Sequence, residues 1–233
     1  VNKLIDIGVN LMHRSFQGDR DVVVTQALEA GVSPLILTGT SERNSDSAAR
    51  YAAKFPGQLF TTAGIHPHDA RNCTSQTLDT LRRLATKPQV VAIGECGLDY
   101  NRDFSPRDIQ RKWFEEQIKL ACELEKPLFL HEREAHHDFV RILKPYLSKG
   151  NYKAVVHCFT GSAQELEAYL QLGMHIGITG WICDERRGKH LRELVKRIPV
   201  DRLMLETDAP FLTPRDLPVK PQMAGTSRSF FRM

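Results

Sequence analysis

Apolar positions along this chain fall into short runs that alternate with segments of helical spacing. Leu4-Ile5-Asp6-Ile7-Gly8-Val9 reads as a first strand. Residues 22–30 then carry apolar side chains at helical spacing up to Gly31, where a helix would stop. Residues 34–39 predict a second strand, 42–54 a helix, and 59–64 a third strand. Leu78, Leu81 and Leu84 mark the next helical face, and 90–95 is a continuous apolar strand that runs into Glu95. Ser105, Pro106 and Asp108 read as the N-cap, first turn and favourable first-turn charge of a helix continuing to Leu124. Strands are expected at 127–131 and 154–159, with a helix at 139–147 between them. Ser162 and Glu165 form a capping box, and Gly173 ends the helix they open. A strand at 174–178, a helix marked by Leu191, Leu194 and Val195, and a strand at 203–206 complete the pattern.

Eight β/α units with apolar strands describe a parallel sheet covered by helices. Their lengths predict an α/β fold, a (β/α)8 TIM-type barrel. A doubly wound open sheet is the alternative, but neither G-x-G-x-x-G nor G-x-x-x-x-G-K-[ST] occurs. No helical pattern follows the eighth strand. Pro214, Pro218 and Pro221 precede Gly225-Thr226-Ser227-Arg228-Ser229, so the barrel is expected to lack its final C-terminal helix. The expected organisation is one barrel over 1–221 and an irregular tail over 222–233.

Composition changes this picture little. The 233 residues, 41% hydrophobic and 26% charged, suffice for a real core and argue against disorder. No apolar run approaches the roughly 20 residues of a membrane span. The net charge of +4 is compatible with a phosphate-bearing partner without requiring one. Five cysteines, an odd number without C-x-x-C, and an N-terminus without signal-peptide features predict a reduced, cytoplasmic protein.

The chemistry collects at the C-terminal ends of the expected strands, which in a barrel converge on one rim. His66-Pro67-His68-Asp69, Glu95-Cys96-Gly97-Leu98-Asp99, His131-Glu132-Arg133, His157-Cys158 and Glu206-Thr207-Asp208 all lie there. Histidines and carboxylates on one rim can hold one or two divalent cations. Two such cations about 4 Å apart polarise an ester and generate hydroxide near neutral pH. Glu95 is costly to bury unpaired after five apolar residues, which favours a ligand role. His131 and His157 favour ligation as a pair on adjacent strands. Glu206 and Asp208, two apart, face the same way on an extended segment. Arg133, two beyond His131, suits phosphate. His66, beside Pro67, reads on its own as structural, and so does His68. Cys96 and Cys158 are expected to point to the opposite strand face as buried thiols.

Taken together, Asp6-Ile7-Gly8-Val9-Asn10-Leu11, Gly64-Ile65-His66-Pro67-His68, Ile93-Gly94-Glu95-Cys96-Gly97-Leu98-Asp99, His131, His157-Cys158-Phe159-Thr160-Gly161, Gly177-Ile178-Thr179-Gly180 and Glu206-Thr207-Asp208-Ala209-Pro210 closely resemble the TatD family of metal-dependent deoxyribonucleases. These barrels belong with the amidohydrolase-like enzymes. The resemblance runs from the start of the chain to about Pro221. It implies a (β/α)8 barrel, Mg²⁺-dependent hydrolysis of DNA phosphodiesters from the 3′ end of single strands, and a role in DNA repair or degradation. By position it implies Glu95, His131, His157 and Asp208 as metal ligands, with Mg²⁺ ahead of Mn²⁺ or Zn²⁺. His66 and Glu206 match further active-site residues, and Asp208 is implied to orient the attacking water. RNA is an alternative substrate, and no membrane is involved.

The sequence departs from the family at two places. Gly8 and Asn10 stand where many members carry the histidines of an Asp-x-His-x-His segment. The usual Arg-Asn-Glu-Pro-like segment and final helices are replaced by Thr226-Ser227-Arg228-Ser229-Phe230-Phe231-Arg232-Met233. Two rival readings follow: a zinc amidohydrolase acting on a small substrate, or a truncated, inactive nucleic-acid-binding product.

Overall fold

Each strand run of the sequence is followed by a chain reversal that brings the next strand alongside it in parallel. The computed structural model describes residues 4–147 and 153–217. Its strands are β1 (Leu4–Val9), β2 (Val32–Leu37), β3 (Leu59–Ala63), β4 (Val90–Asp99), β5 (Leu128–Arg133), β6 (Ala154–Val156), β7 (His175–Ile178) and β8 (Leu203–Leu205). Between them run α1 (Arg20–Glu29), α2 (Glu42–Ala52), α3 (Thr77–Ala85), α4 (Arg107–Glu123), α5 (His136–Leu147), α6 (Ala163–Gln171) and α7 (Lys189–Leu194). The strands form one sheet in sequential order, and every neighbouring pair is parallel.

The sheet closes on itself beyond the end of β8. Asp208 N donates to Gly8 O and Asn10 N to Ala209 O, each at 2.8 Å. These two bonds join the segment after β8 to β1 and complete the expected barrel. The residues after Asp216-Leu217, where a final helix would fall, together with the expected tail at 222–233 and the end of the barrel at 221, lie outside the described residues.

Apolar packing separates into an outer shell and an inner plug. The large outer cluster joins strands to α3–α6 through side chains such as Leu81, Phe114, Phe139 and Tyr169. A second cluster joins β1–β3 to α1 and α2 through Val9, Val24, Leu35 and Ala48. The plug is Ile7, Ala92, Phe129 and Val155, with Ile36 and Met204 against them, and all six come from strands. Side chains of that kind fill a barrel rather than leaving a pore.

Several local expectations hold. Ser162 and Glu165 make both bonds of the capping box. Gly31 and Gly173 adopt φ of 83° and 76°, the left-handed conformation that ends a helix. One differs. The α4 N-cap position belongs to Pro106, with no side-chain cap, because the Ser105 hydroxyl is used elsewhere. It donates to His68 O and accepts from Arg71 N, tying the loop after β3 to the start of α4.

Candidate metal centre

The loops after β1, β2, β3 and β8 and the ends of β4, β5 and β6 enclose a cleft of about 540 Å³. Its wall includes His66, Glu95, His131, His157 and Asp208, so five strand ends deliver their polar side chains to one place.

Glu95 is the centre. It is 5% exposed, and its Oε1 lies 2.7 Å from His157 Nε2, 3.0 Å from His131 Nδ1 and 3.3 Å from His66 Nε2. Burial raises its carboxyl, but the His157 and His66 imidazoles and the hydrogen bonds from His131 and His157 outweigh this and hold it well below the carboxylate range. His157 shows the reciprocal effect: burial lowers it, yet the Glu95 and Glu206 carboxylates hold it well above the usual imidazole value. His66 is different, pushed down to about 4 by burial despite Glu95. Its Nδ1 accepts from His68 N at 3.1 Å, which aims Nε2 at Glu95.

Each histidine is oriented from behind, as metal-ligating histidines generally are. His157 Nδ1 lies 3.2 Å from Glu206 Oε2, and its ring stacks on Phe129 of the plug at 4.7 Å. His131 Nε2 is buried and pairs with Asp99 Oδ2 at 3.4 Å. Asp99 takes Asn101 N and Arg102 N on Oδ1 and pairs His68 Nε2 at 2.6 Å through Oδ2. Burial raises Asp99, but His131 and His68 outweigh it and hold the carboxyl well below its ordinary value.

On the opposite wall, Asn10 Nδ2 donates to Asp208 Oδ1 at 2.9 Å. Burial pushes Asp208 up to about 7. Behind it, buried Asp6 accepts from Gly8 N, Thr207 N and the Thr207 hydroxyl.

Not every expected residue reaches the cleft wall. Glu206 is enclosed in a slot between Gly8 and Gly177, where a Cβ on either would come within 2.5 or 2.6 Å of its carboxylate oxygens. There it accepts from Cys158 N and faces His157. Gly8 is therefore fixed by the volume of Glu206. Arg133 lies in a neighbouring depression with Glu132, Thr160 and His190. It donates to Thr160 Oγ1 at 2.8 Å and sits 5.6 Å over the Trp181 ring. Cys96 is fully buried, but Cys158 lines the cleft, contrary to the alternation argument. Its φ of 49° is the reason, and Asp208 at 53° escapes alternation in the same way.

Sequence reasoning missed Asp99, although it shares strand parity with Glu95 at i+4 on β4. It also left His68 as structural and assigned nothing to Phe211 or His13, which line the cleft.

The residues fit a divalent cation. Donor atoms of His66, Glu95 and His131 lie within 4.8 Å of one another. Imidazole nitrogen and carboxylate oxygen are the donor types of catalytic metal sites.

The chain is similar over most of its length to known proteins. A family model described as TatD related DNase matches residues 5–228. A relative from Pantoea sp. (strain At-9b), a 3′-5′ ssDNA/RNA exonuclease TatD, is 55% identical over 218 residues, covering 94% of this chain and 84% of its own. A TatD-family hydrolase from Entamoeba histolytica superposes with a TM-score of 0.86 at 30% identity, covering 98% and 84%. A TatD homologue from Escherichia coli K12 gives 0.84 at 31% identity, covering 94% and 84%.

Proposed function

The chain belongs to the TatD related DNase family, and on that premise we propose that its cleft hydrolyses phosphodiester bonds of single-stranded DNA from the 3′ end. RNA is the second substrate of this reading, since relatives carry both in their name. The observation that carries it is the convergence of three imidazoles on Glu95 with Asp208 across the same cleft.

Glu95, His131, His157 and Asp208 would hold the cation, with His66 beside them. Mg²⁺ is our assignment, because phosphate oxygens and carboxylates suit a hard cation; imidazoles keep Mn²⁺ and Zn²⁺ as comparisons. Bound there, a divalent cation supplies Lewis acidity toward the phosphate oxygens. Asp208 takes the proton of the attacking water, with Asn10 fixing its Oδ1. Glu206 acts through His157, whose ring it orients from its slot. Arg133, one step outside the cleft, is assigned to a neighbouring phosphate of the substrate. Removal of unpaired 3′ ends is a step that both DNA repair and DNA degradation require, and either is the setting we propose.

A 5′-labelled single-stranded oligonucleotide incubated with Mg²⁺ tests this, beside a Glu95→Ala preparation. Progressively shortened labelled products, made only by the unmutated protein, are expected. Equal cleavage by both preparations would overturn the site, and no cleavage with Mg²⁺, Mn²⁺ or Zn²⁺ would overturn the reaction.

A further inference from the structure

Among the described phenylalanines only Phe104 and Phe211 are exposed, at 50% and 47%; Phe211 lines the cleft, and Phe104 packs against His68 of its wall. Phe104 lies in the loop between β4 and α4, and Phe211 in the segment after β8. Each ring is held by an imidazole of the cleft wall. His13 meets Phe211 nearly perpendicularly, with centroids 5.3 Å apart. His68 meets Phe104 in the same way at 4.7 Å. Phe211 is fixed further by its backbone, since its N–H donates to Asp208 O. The metal-ligating cluster thus lies in a cleft that carries His13 and Phe211 on its wall, and His68, backed by Phe104, as well.

A ligand matching that order has flat apolar faces joined through an anionic link, as an oligonucleotide has bases joined through phosphate. We propose that Phe211 and Phe104 are base-stacking platforms for the nucleotides on the two sides of the scissile phosphate. The assignment rests on the nuclease reading of the cleft and deepens it. Stacking on a phenyl ring tolerates every base, because each has a π-face, and it needs an unpaired base whose face is free. The two rings therefore supply a physical source for single-strand preference without sequence preference. The histidines hold the ring planes, so less ordering is left to binding.

Fluorescence anisotropy with a labelled single-stranded oligonucleotide, read beside cleavage kinetics, tests the assignment on the whole chain. Phe211→Ala and Phe104→Ala are each expected to weaken binding roughly five- to hundredfold, the range of one lost base–aromatic stack. KM should carry most of the change and kcat little. Phe211→Trp should bind at least as well as the unmutated protein. An oligonucleotide with abasic sugars at its 3′ end should erase the difference between unmutated and Phe211→Ala protein. Unchanged affinity in both alanine variants overturns the assignment, as does an equal loss on the abasic substrate. Thermal melting of each variant separates loss of stacking from loss of fold. Binding without cleavage overturns the nuclease reading alone, and the alanine variants still decide the platforms. No binding by the unmutated protein overturns both.

Discussion

The two walls of the cleft are built on different principles. Over β3–β6, side chains meet side chains: His66, His131 and His157 crowd one oxygen of Glu95, while Asp99 and Glu206 stand behind the histidines. Over β8 and β1, side chains meet backbone: Asp6 gathers Gly8 N and Thr207 N, and strand-like bonds join Asp208 to Gly8 and Asn10 to Ala209. The first wall is a set of donors whose mutual hydrogen bonds a cation can replace. The second is a staple that shuts the barrel and, in doing so, places Asp208. Their surroundings differ as well. The first wall is backed by the large outer core, whereas Leu4, Ile5 and Leu205, on the strands either side of the seam, are about half exposed. Metal affinity should therefore depend mainly on the first wall, with Asp208 as the one proposed ligand the second wall supplies, and barrel stability on the second.

The largest test of that division is His131→Ala. It should abolish both cleavage and the rise in melting temperature on adding Mn²⁺, because cation binding to the folded state alone is what raises it. If Asn10→Ala abolished that rise equally, the division would fail. Asp99→Asn should come next, weakening metal affinity by about 10–100-fold through His131 and His68, as measured by metal titration.

Asp6→Ala should act on the other side. One buried and one partly buried backbone N–H group lose their acceptor, so urea unfolding should show a loss of about 2–3 kcal/mol, with metal affinity changed far less than by His131→Ala. Burial pushes the Asp6 carboxyl up to about 7 from 3.8, so the folded state binds a proton that the unfolded chain has released. Between those pH values this group lowers stability as pH rises. Asp6→Asn should flatten that slope between pH 4 and 7, and an unchanged slope would remove Asp6 as its source. The smallest effect is expected from Asn10→Ala, which deletes the amide's hydrogen bonds to the Asp208 carboxylate and carbonyl. A fall in kcat of roughly two- to tenfold is anticipated in steady-state kinetics.

Much of this was legible in the chain. Strand ends could be located from apolar runs, and five of the polar residues at those ends, His66, Glu95, His131, His157 and Asp208, share the cleft wall. Asp99 was legible too, because β4 is extended past Glu95 and parity holds there. Parity failed where the backbone turns left-handed, at Cys158 and Asp208, since alternation describes only extended chain. It also says which face a side chain leaves from, not how far it lies from the axis. Arg133 leaves β5 on the same face as His131 but ends on Trp181, in the next depression.

The sequence by itself determined the eight-unit barrel, the rim on which chemistry gathers and the residue types that gather there. Those properties depend on periodicity, caps and strand ends, which are local. Tertiary structure alone decided that Gly8 and Gly177, far apart in the chain, make one slot for Glu206. It alone decided that Asp6 bonds Thr207 across the seam, and that two exposed phenyl rings meet His13 and His68 of the cleft wall. These depend on distances between residues that no spacing in the chain encodes, because barrel closure is what brings the first strand to the last.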